Sequence, residues 1–149
     1  MKLYCSIVVT LLAALSVSAD SAESNEIEAL IVEKAKICQK ETNASEKDVD
    51  EMLDGAKATT PTTKCLHSCL LKKLEVVNAA NKLEPENLIK MMIDDTIKSK
   101  DGKTIKSVIN SISDACKSVT DPDECEAGVK IIDCLNAEAV KLGFEKGPF

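Results

Sequence analysis

Seven cysteines in 149 residues are the feature that most limits what this chain can fold into. Six of them lie between positions 38 and 134, separated by gaps of 26, 3, 46, 8 and 8 residues. An even number of cysteines in a small secreted chain indicates a disulfide framework, whereas in a reducing compartment the same residues would be free thiols. The meaning of the pattern therefore depends on the compartment and on the seventh cysteine, Cys5.

The segment that carries Cys5 has the features of a secretory signal peptide. Lys2 gives a positive start, residues 7–17 form a mostly apolar run too short to span a bilayer, and Val17-Ser18-Ala19 supplies small residues for cleavage. A buried first helix is the alternative, but the run has no polar face. We expect residues 1–19 to be a signal peptide and residues 20–149 to form one secreted, extracellular domain with six cysteines and no membrane anchor.

Charge and histidine content exclude several classes of function. Lys plus Arg number 19 against 25 Asp plus Glu, a net charge of −6, and every basic residue is Lys. Nucleic acids and anionic membranes need a basic footprint, so we expect neither as a partner. Because the chain has only one histidine, His67, the two-histidine zinc motifs are excluded, and a catalytic triad would have a single candidate histidine. We expect no catalytic residues, no metal and no cofactor, and we interpret His67 as a surface residue rather than a pH switch or a metal ligand.

Hydrophobic periodicity predicts helices throughout the mature chain, and period-two strand patterns are nearly absent. Apolar residues recur at spacings of three and four in six stretches that prolines, glycines and polar residues separate. The predicted helices cover residues 24–40, 45–55, 62–78, a segment from Pro85, a segment carrying residues 105–119, and a segment that begins at Asp121-Pro122 and stops at Gly143. The predicted fold is all-α, with about six helices.

Placing the cysteines on these helices limits how they can pair. Cys65 and Cys69 are four residues apart on the third predicted helix, one turn apart on one face. They cannot pair with each other without breaking that helix, so each must reach a different element. Cys116 and Cys134 lie near facing ends of the last two helices, which a short turn makes antiparallel neighbours. Spacing by itself still leaves 15 connectivities open for six cysteines.

The gaps of three and eight residues, on predicted helices, resemble the signature of the six-cysteine insect odorant-binding proteins, the pheromone and general odorant-binding protein family. The Asp-Pro-Asp-Glu-Cys-Glu run at 121–126 is similar to the family's fifth-cysteine region, and the resemblance covers nearly all of residues 23–149. The 46-residue gap is longer than is usual in the family. The resemblance implies a disulfide-braced helical shell with the pairs Cys38–Cys69, Cys65–Cys125 and Cys116–Cys134.

The resemblance also implies a function. It indicates a secreted carrier that reversibly binds small hydrophobic ligands, such as odorants or pheromones, and transports them through extracellular fluid. A carrier of the same fold in reproductive or salivary fluid is the alternative within the family. A small secreted hydrolase is an alternative from another class, weakened by the absence of a nucleophile elbow. The expected partners are the small hydrophobic ligand and a chemosensory receptor, with the chain a monomer or a weak homodimer.

Eight residues are expected to contact the ligand in an apolar cavity. The resemblance implies Leu71, Val76 on the same helix, and Leu135. Composition alone favours a filled core, so ordinary core packing is the alternative for every one of these positions. Helical periodicity adds Leu88, Met92, Ile109 and Ile112, and the last of the eight is Phe149.

Phe149 is expected in the pocket because Phe144 and Phe149 are the only aromatic residues of the mature chain. Burying each ring is favoured by roughly 1.5–3 kcal/mol. We therefore expect the C-terminal tail to act as a lid, with Phe149 covering or entering the pocket. A frayed terminus is the alternative. One further motif, Asn43-Ala44-Ser45, fits the N-glycosylation acceptor pattern in a predicted loop, where Ser45 is also the expected cap of the second helix.

Overall fold

The computed structural model describes residues 19–91, 97–145, 147 and 149, with side chains from Asn25 onward. The expected signal peptide lies almost wholly outside these residues. Within them, the only β pairing consists of two isolated bridges, Val77 with Leu83 and Lys98 with Thr104. The all-α prediction is therefore confirmed. The helices are α1 (Ala19–Thr42), α2 (Glu46–Leu53), α3 (Pro61–Lys73), α4 (Pro85–Met91), α5 (Ile105–Cys116) and α6 (Glu124–Lys141).

Side-chain caps determine where α2 and α3 begin. The Ser45 hydroxyl accepts from the Asp48 backbone N–H at 3.2 Å, and the Asp48 carboxylate accepts from the Ser45 backbone N–H at 2.8 Å. This reciprocal capping box satisfies two backbone donors that the first turn of a helix leaves without partners. Thr60 and Thr63 form the same arrangement at the start of α3, where Pro61 occupies the first helical position.

The last helix begins two to three residues later than the sequence predicts. The carboxylate of Asp123 accepts from the backbone N–H groups of Cys125 and Glu126, at 2.9 and 3.0 Å, so Asp123 is the N-cap. Asp121 instead accepts from the ammonium group of Lys130. That hydrogen bond lowers the pKa of the Asp121 carboxyl and raises the pKa of the Lys130 ammonium group.

The third helix is shorter than predicted, because the chain reverses after its thirteenth residue. Glu75 takes a φ of 58°, and the backbone N–H of Val76 bonds the Leu71 carbonyl at 2.9 Å. A left-handed residue followed by such a bond is a common helix ending. Val77 then pairs with Leu83 across a tight turn. The prediction of a helix to residue 78, with Val76 on it, is wrong. Val76 and Val77 are buried, but they lie in the turn after α3.

Helices α3 and α6 approach each other very closely at one point. A Cβ atom added to Gly128 of α6 would lie 2.7 Å from the Cα atom of Ser68 on α3. The Ser68 hydroxyl donates to the backbone carbonyl of Glu124. One turn away, Cys65 and Cys125 are bridged with their Cα atoms 4.3 Å apart. Glycine is required at position 128 because any side chain would overlap the facing backbone.

The buried side chains form two clusters. The first, called here the corner cluster, joins α1, α2 and α3 and contains Ala35, Cys38, Ala44, Val49, Met52 and Leu66. The second, called here the central cluster, lies among the turn after α3, helices α4, α5 and α6, and the tail. It contains Val76, Val77, Leu83, Leu88, Ile105, Ile109, Ile112, Cys116, Ile131, Leu135, Ala139 and Phe144.

Candidate functional site

Seven of the eight residues expected to contact a ligand lie at the central cluster. Five belong to the cluster and are at most 3% exposed: Val76, Leu88, Ile109, Ile112 and Leu135. Leu71 and Phe149 are partly buried and pack against it. The eighth, Met92, lies outside the described residues. The structure therefore brings together residues from four helices, one turn and the tail.

The sequence analysis missed other members of this cluster. Ile131 of α6 is 0% exposed, whereas its neighbour Ile132, which the predicted stripe included, is only half-buried. Two adjacent isoleucines satisfy a spacing of three and four almost equally well, so the pattern could not decide between them. Leu83 was missed because it lies in a predicted connection. Its only signal was an apolar side chain between two polar ones.

Three disulfides brace the helices around these clusters. Cys116–Cys134 joins α5 to α6 at the central cluster, where Cys116 is 0% exposed. Cys38–Cys69 joins α1 to α3, and Cys65–Cys125 joins α3 to α6. These are the three pairs that the family resemblance implies. The bridge between α5 and α6 fixes the two helices that supply most of the central side chains.

The two phenylalanines of the tail occupy different environments. Phe144 is 2% exposed, and its backbone N–H bonds the Ala139 carbonyl at 3.2 Å, so it is a core residue. Phe149 packs at the edge of the central cluster. Its backbone N–H donates to Oδ1 of Asn136 and its carbonyl accepts from Nδ2 of Asn136, both at 3.0 Å. One side chain of α6 thus holds the last residue through both of its backbone groups.

The surface of the described residues carries two open depressions of note. The groove between residues 97–100 and the tail has a volume of about 590 Å³, and Phe144 lies in its wall. Because Phe144 also belongs to the central cluster, this groove borders the apolar centre. The second depression, of about 770 Å³, runs along α1, α3 and the start of α6. Its walls carry the ion pairs Lys72–Glu124 and Lys73–Glu41, at 2.6 and 2.8 Å, so it is more polar than the central cluster.

Among the described residues, His67 and the group formed by Cys38, Glu41 and Cys69 bear on a catalytic or metal-binding role. His67 is half-buried rather than fully solvated, and its Nδ1 lies 2.8 Å from the Thr63 carbonyl one turn back on α3. The Glu41 carboxylate lies 3.4 Å from the sulfur of Cys69. That sulfur is bonded to Cys38, so no thiolate is available there to bind a metal.

This arrangement defines a class of protein: a small all-α domain, braced by three interlocked disulfides, with an apolar centre closed at one edge by its own C-terminal tail. Residues 20–138 match the family model described as the PBP/GOBP family, so the chain belongs to that family of odorant-binding proteins. The family consists of carrier proteins rather than enzymes and is typically secreted. No helix in the described part of the chain is long and apolar enough to cross a membrane.

Individual relatives agree with this assignment. The chain is 31% identical over 122 residues to general odorant-binding protein 28a of Drosophila melanogaster, covering 81% of this chain and 83% of the relative. The solved structure of Drosophila odorant-binding protein 28a superposes with a TM-score of 0.67 at 29% identity, over 81% of this chain and 98% of that one. Odorant-binding protein 7 of Anopheles gambiae, solved with four disulfide bridges in complex with an azo compound, gives a TM-score of 0.54 at 26% identity, over 83% and 94% of the two chains.

Proposed function

We propose that this chain is a secreted carrier that binds small hydrophobic molecules reversibly at the central cluster and transports them through extracellular fluid. Cleavage after Ala19, delivery to a chemosensory receptor and a monomeric or weakly dimeric state are parts of the same proposal. The observation that carries it is the convergence of seven expected contact residues on one apolar cluster, within a domain of the odorant-binding family. N-terminal sequencing and native mass spectrometry of protein from its source test the cleavage site, the oligomeric state and the bound ligand.

Binding at this cluster requires side chains to move, because the buried residues pack against one another. The side chains at its edge are the ones that can yield at least cost. Leu71 and Phe149 are partly buried, and Phe149 is held to the body of the protein by one asparagine side chain. We therefore assign the tail the role of a lid: displacement of Phe149 opens the edge of the cluster, and its return covers the ligand.

The chemistry of the cluster favours flexible aliphatic ligands. Its side chains are Leu, Ile, Val, Ala and the bridged Cys116, with Phe144 as the only aromatic member and Phe149 beside it. The mature chain has neither Tyr nor Trp to stack on a compact aromatic ring or to bind a cation through a π face. Val76 has no hydroxyl group to hold an alcohol. Long-chain aldehydes and esters should therefore displace a fluorescent apolar probe at lower concentrations than histamine-like amines do.

A pair of matched leucine variants tests the position of the site. Leu71 lies at the edge of the central cluster, whereas Leu53 is 41% exposed on α2. Leu71→Ala removes apolar contact with the ligand and should weaken probe binding several-fold, as the loss of roughly 1–2 kcal/mol of apolar burial implies. Leu53→Ala should leave the affinity unchanged. Equal affinities of the two variants would place the site elsewhere.

A further inference from the structure

The only Asn-X-Ser/Thr motif of the chain, Asn43-Ala44-Ser45, lies at the turn between α1 and α2. Asn43 follows the last residue of α1, is exposed and has a φ of 56°. Among the described residues, no hydrogen bond engages its side-chain amide, whereas the next residue, Ala44, is 8% exposed and belongs to the corner cluster. Ala44 packs in the core and fixes the turn, whereas Asn43, with its left-handed backbone conformation, is exposed to solvent.

We propose that Asn43 carries an N-linked glycan in the secreted protein. In the transfer, the Asn43 amide nitrogen loses a proton and bonds the anomeric carbon of the oligosaccharide's terminal N-acetylglucosamine. The bond from that carbon to an oxygen of the polyprenyl pyrophosphate breaks, the polyprenyl pyrophosphate leaves with the bonding electron pair, and a base of the transferase takes up the amide proton. The donor is the lipid-linked oligosaccharide of the secretory pathway, so the inference rests on the secretion included in the proposed function.

Ser45 belongs both to the acceptor motif and to the cap of α2. This double role fixes the sequence of glycan transfer and helix capping. In the fold, the Ser45 hydroxyl accepts from the Asp48 N–H and donates to the Asp48 carboxylate at 2.7 Å. A transferase that reads this hydroxyl needs it unengaged, so transfer precedes closure of the capping box. Because the glycan is bonded to the amide of Asn43, the box can close normally afterwards.

The glycan would leave the proposed ligand site unobstructed. Asn43 adjoins the corner cluster, and neither it nor its neighbours belong to the central cluster or to the residues packed against it. A sugar on an exposed turn also displaces no packed side chain, because asparagine already projects into solvent there. The modification and ligand binding should therefore be independent.

The test uses the full chain expressed in cultured insect cells, with both medium and cell fractions collected. Cleavage by trypsin after Lys40 and Lys47 gives a peptide, residues 41–47, that contains the whole motif. Enzymatic deglycosylation in heavy-oxygen water should convert Asn43 in this peptide to a labelled aspartate in most chains, and should lower the mass of the intact protein by one glycan. Unlabelled asparagine in protein from the medium would overturn the proposal while leaving secretion intact. Unlabelled asparagine in protein retained in the cells with its leader would overturn both.

Three variants separate the acceptor role from the cap. Ser45→Thr keeps a hydroxyl for both, so the glycan and the stability should be retained. Asn43→Gly fits the positive φ and removes the acceptor, so the glycan should be lost while the protein is still secreted and binds the probe as before. Ser45→Ala should lose the glycan and lower the melting temperature as well. Glycan retained in Asn43→Gly would assign it to another residue and overturn the proposal.

Discussion

Gly128 is a residue at which one added methyl group should damage the fold, because it faces backbone. Its Cβ would lie 2.7 Å from the Cα and Cβ atoms of Ser68, and backbone cannot rotate away as a flexible side chain can. Gly128→Ala should lower the free energy of unfolding by about 1–3 kcal/mol, the range for overpacked cores. Denaturant unfolding measures this, with Ala137→Ser at an exposed position of α6 as the control. A Gly128→Ala protein as stable as the control would mean that α3 and α6 can separate freely.

Asp48 gives the fold a stability contribution that depends on pH. The hydrogen bonds from the Ser45 hydroxyl and backbone N–H lower the pKa of the Asp48 carboxyl below its value in the unfolded chain. A lowered folded-state pKa means that the contribution is present above the unfolded-state pKa and disappears as the pH falls through the folded-state pKa.

Asp48→Asn should therefore melt at a lower temperature than the wild type at neutral pH, and the difference should shrink as the pH falls through the acidic range. Thermal melts followed by circular dichroism across that range measure it. Asp50→Asn changes an exposed carboxylate on the same helix and serves as the control. A difference in melting temperature that stayed constant with pH would contradict the assigned role of the carboxylate.

At the scale of elements, the end of the tail is fastened to α6. Asn136 bonds both backbone groups of Phe149, and Gly147 passes so close that a Cβ there would lie 2.1 Å from Asn136. Asn136→Ala should leave helicity unchanged and increase the ligand dissociation rate by up to about thirty-fold, since two hydrogen bonds worth about 1 kcal/mol each are lost. Stopped-flow release of a fluorescent probe measures the rate, and Ala137→Ser is the neighbouring control. Identical dissociation rates in the two variants would exclude a lid held by Asn136.

Phe144 should behave differently from Phe149, although both belong to the tail. Because Phe144 is 2% exposed within the central cluster, Phe144→Ala should lower the free energy of unfolding by about 3–5 kcal/mol. Phe149→Ala should change stability little and act on ligand release. Chemical denaturation of both variants separates these roles, and similar stability losses would show that the whole tail is core. A truncation that tests the lid must therefore begin after Phe144.

The helices themselves were largely predictable, whereas their ends were less so. Spacings of three and four define every helix, and Ser45 and Gly55 bounded α2 almost to the residue. The end of α3 could not be read from the sequence, because the chain turns at Glu75, a residue without the glycine or asparagine signal for a positive φ. The apolar pattern continued through Val77 because the turn buries the same side chains that a longer helix would have buried.

At the scale of the whole molecule, the residues of the centre were predictable and their arrangement was not. Leu88, Ile109, Ile112 and Leu135 follow from helical stripes because any compact arrangement of amphipathic helices buries those faces. The choice of Ile131 over Ile132 depends on the rotation of α6 about its axis. The close approach of α6 to α3 and its two disulfides set that rotation, and these are long-range contacts that no local pattern encodes.

The interleaving of the three disulfides has a consequence for proteolysis. The loop of chain closed by Cys38–Cys69 contains Cys65, which is bonded to Cys125. The loop closed by Cys116–Cys134 contains Cys125. Every peptide bond between residues 38 and 134 therefore lies inside at least one covalent loop. A single cut by a protease anywhere in that span should leave one molecule of unchanged mobility on a non-reducing gel, which separates into two fragments only after reduction. In the extracellular fluid that the proposed function assigns to it, where proteases are present, a carrier linked in this way would stay in one piece after its first cleavage.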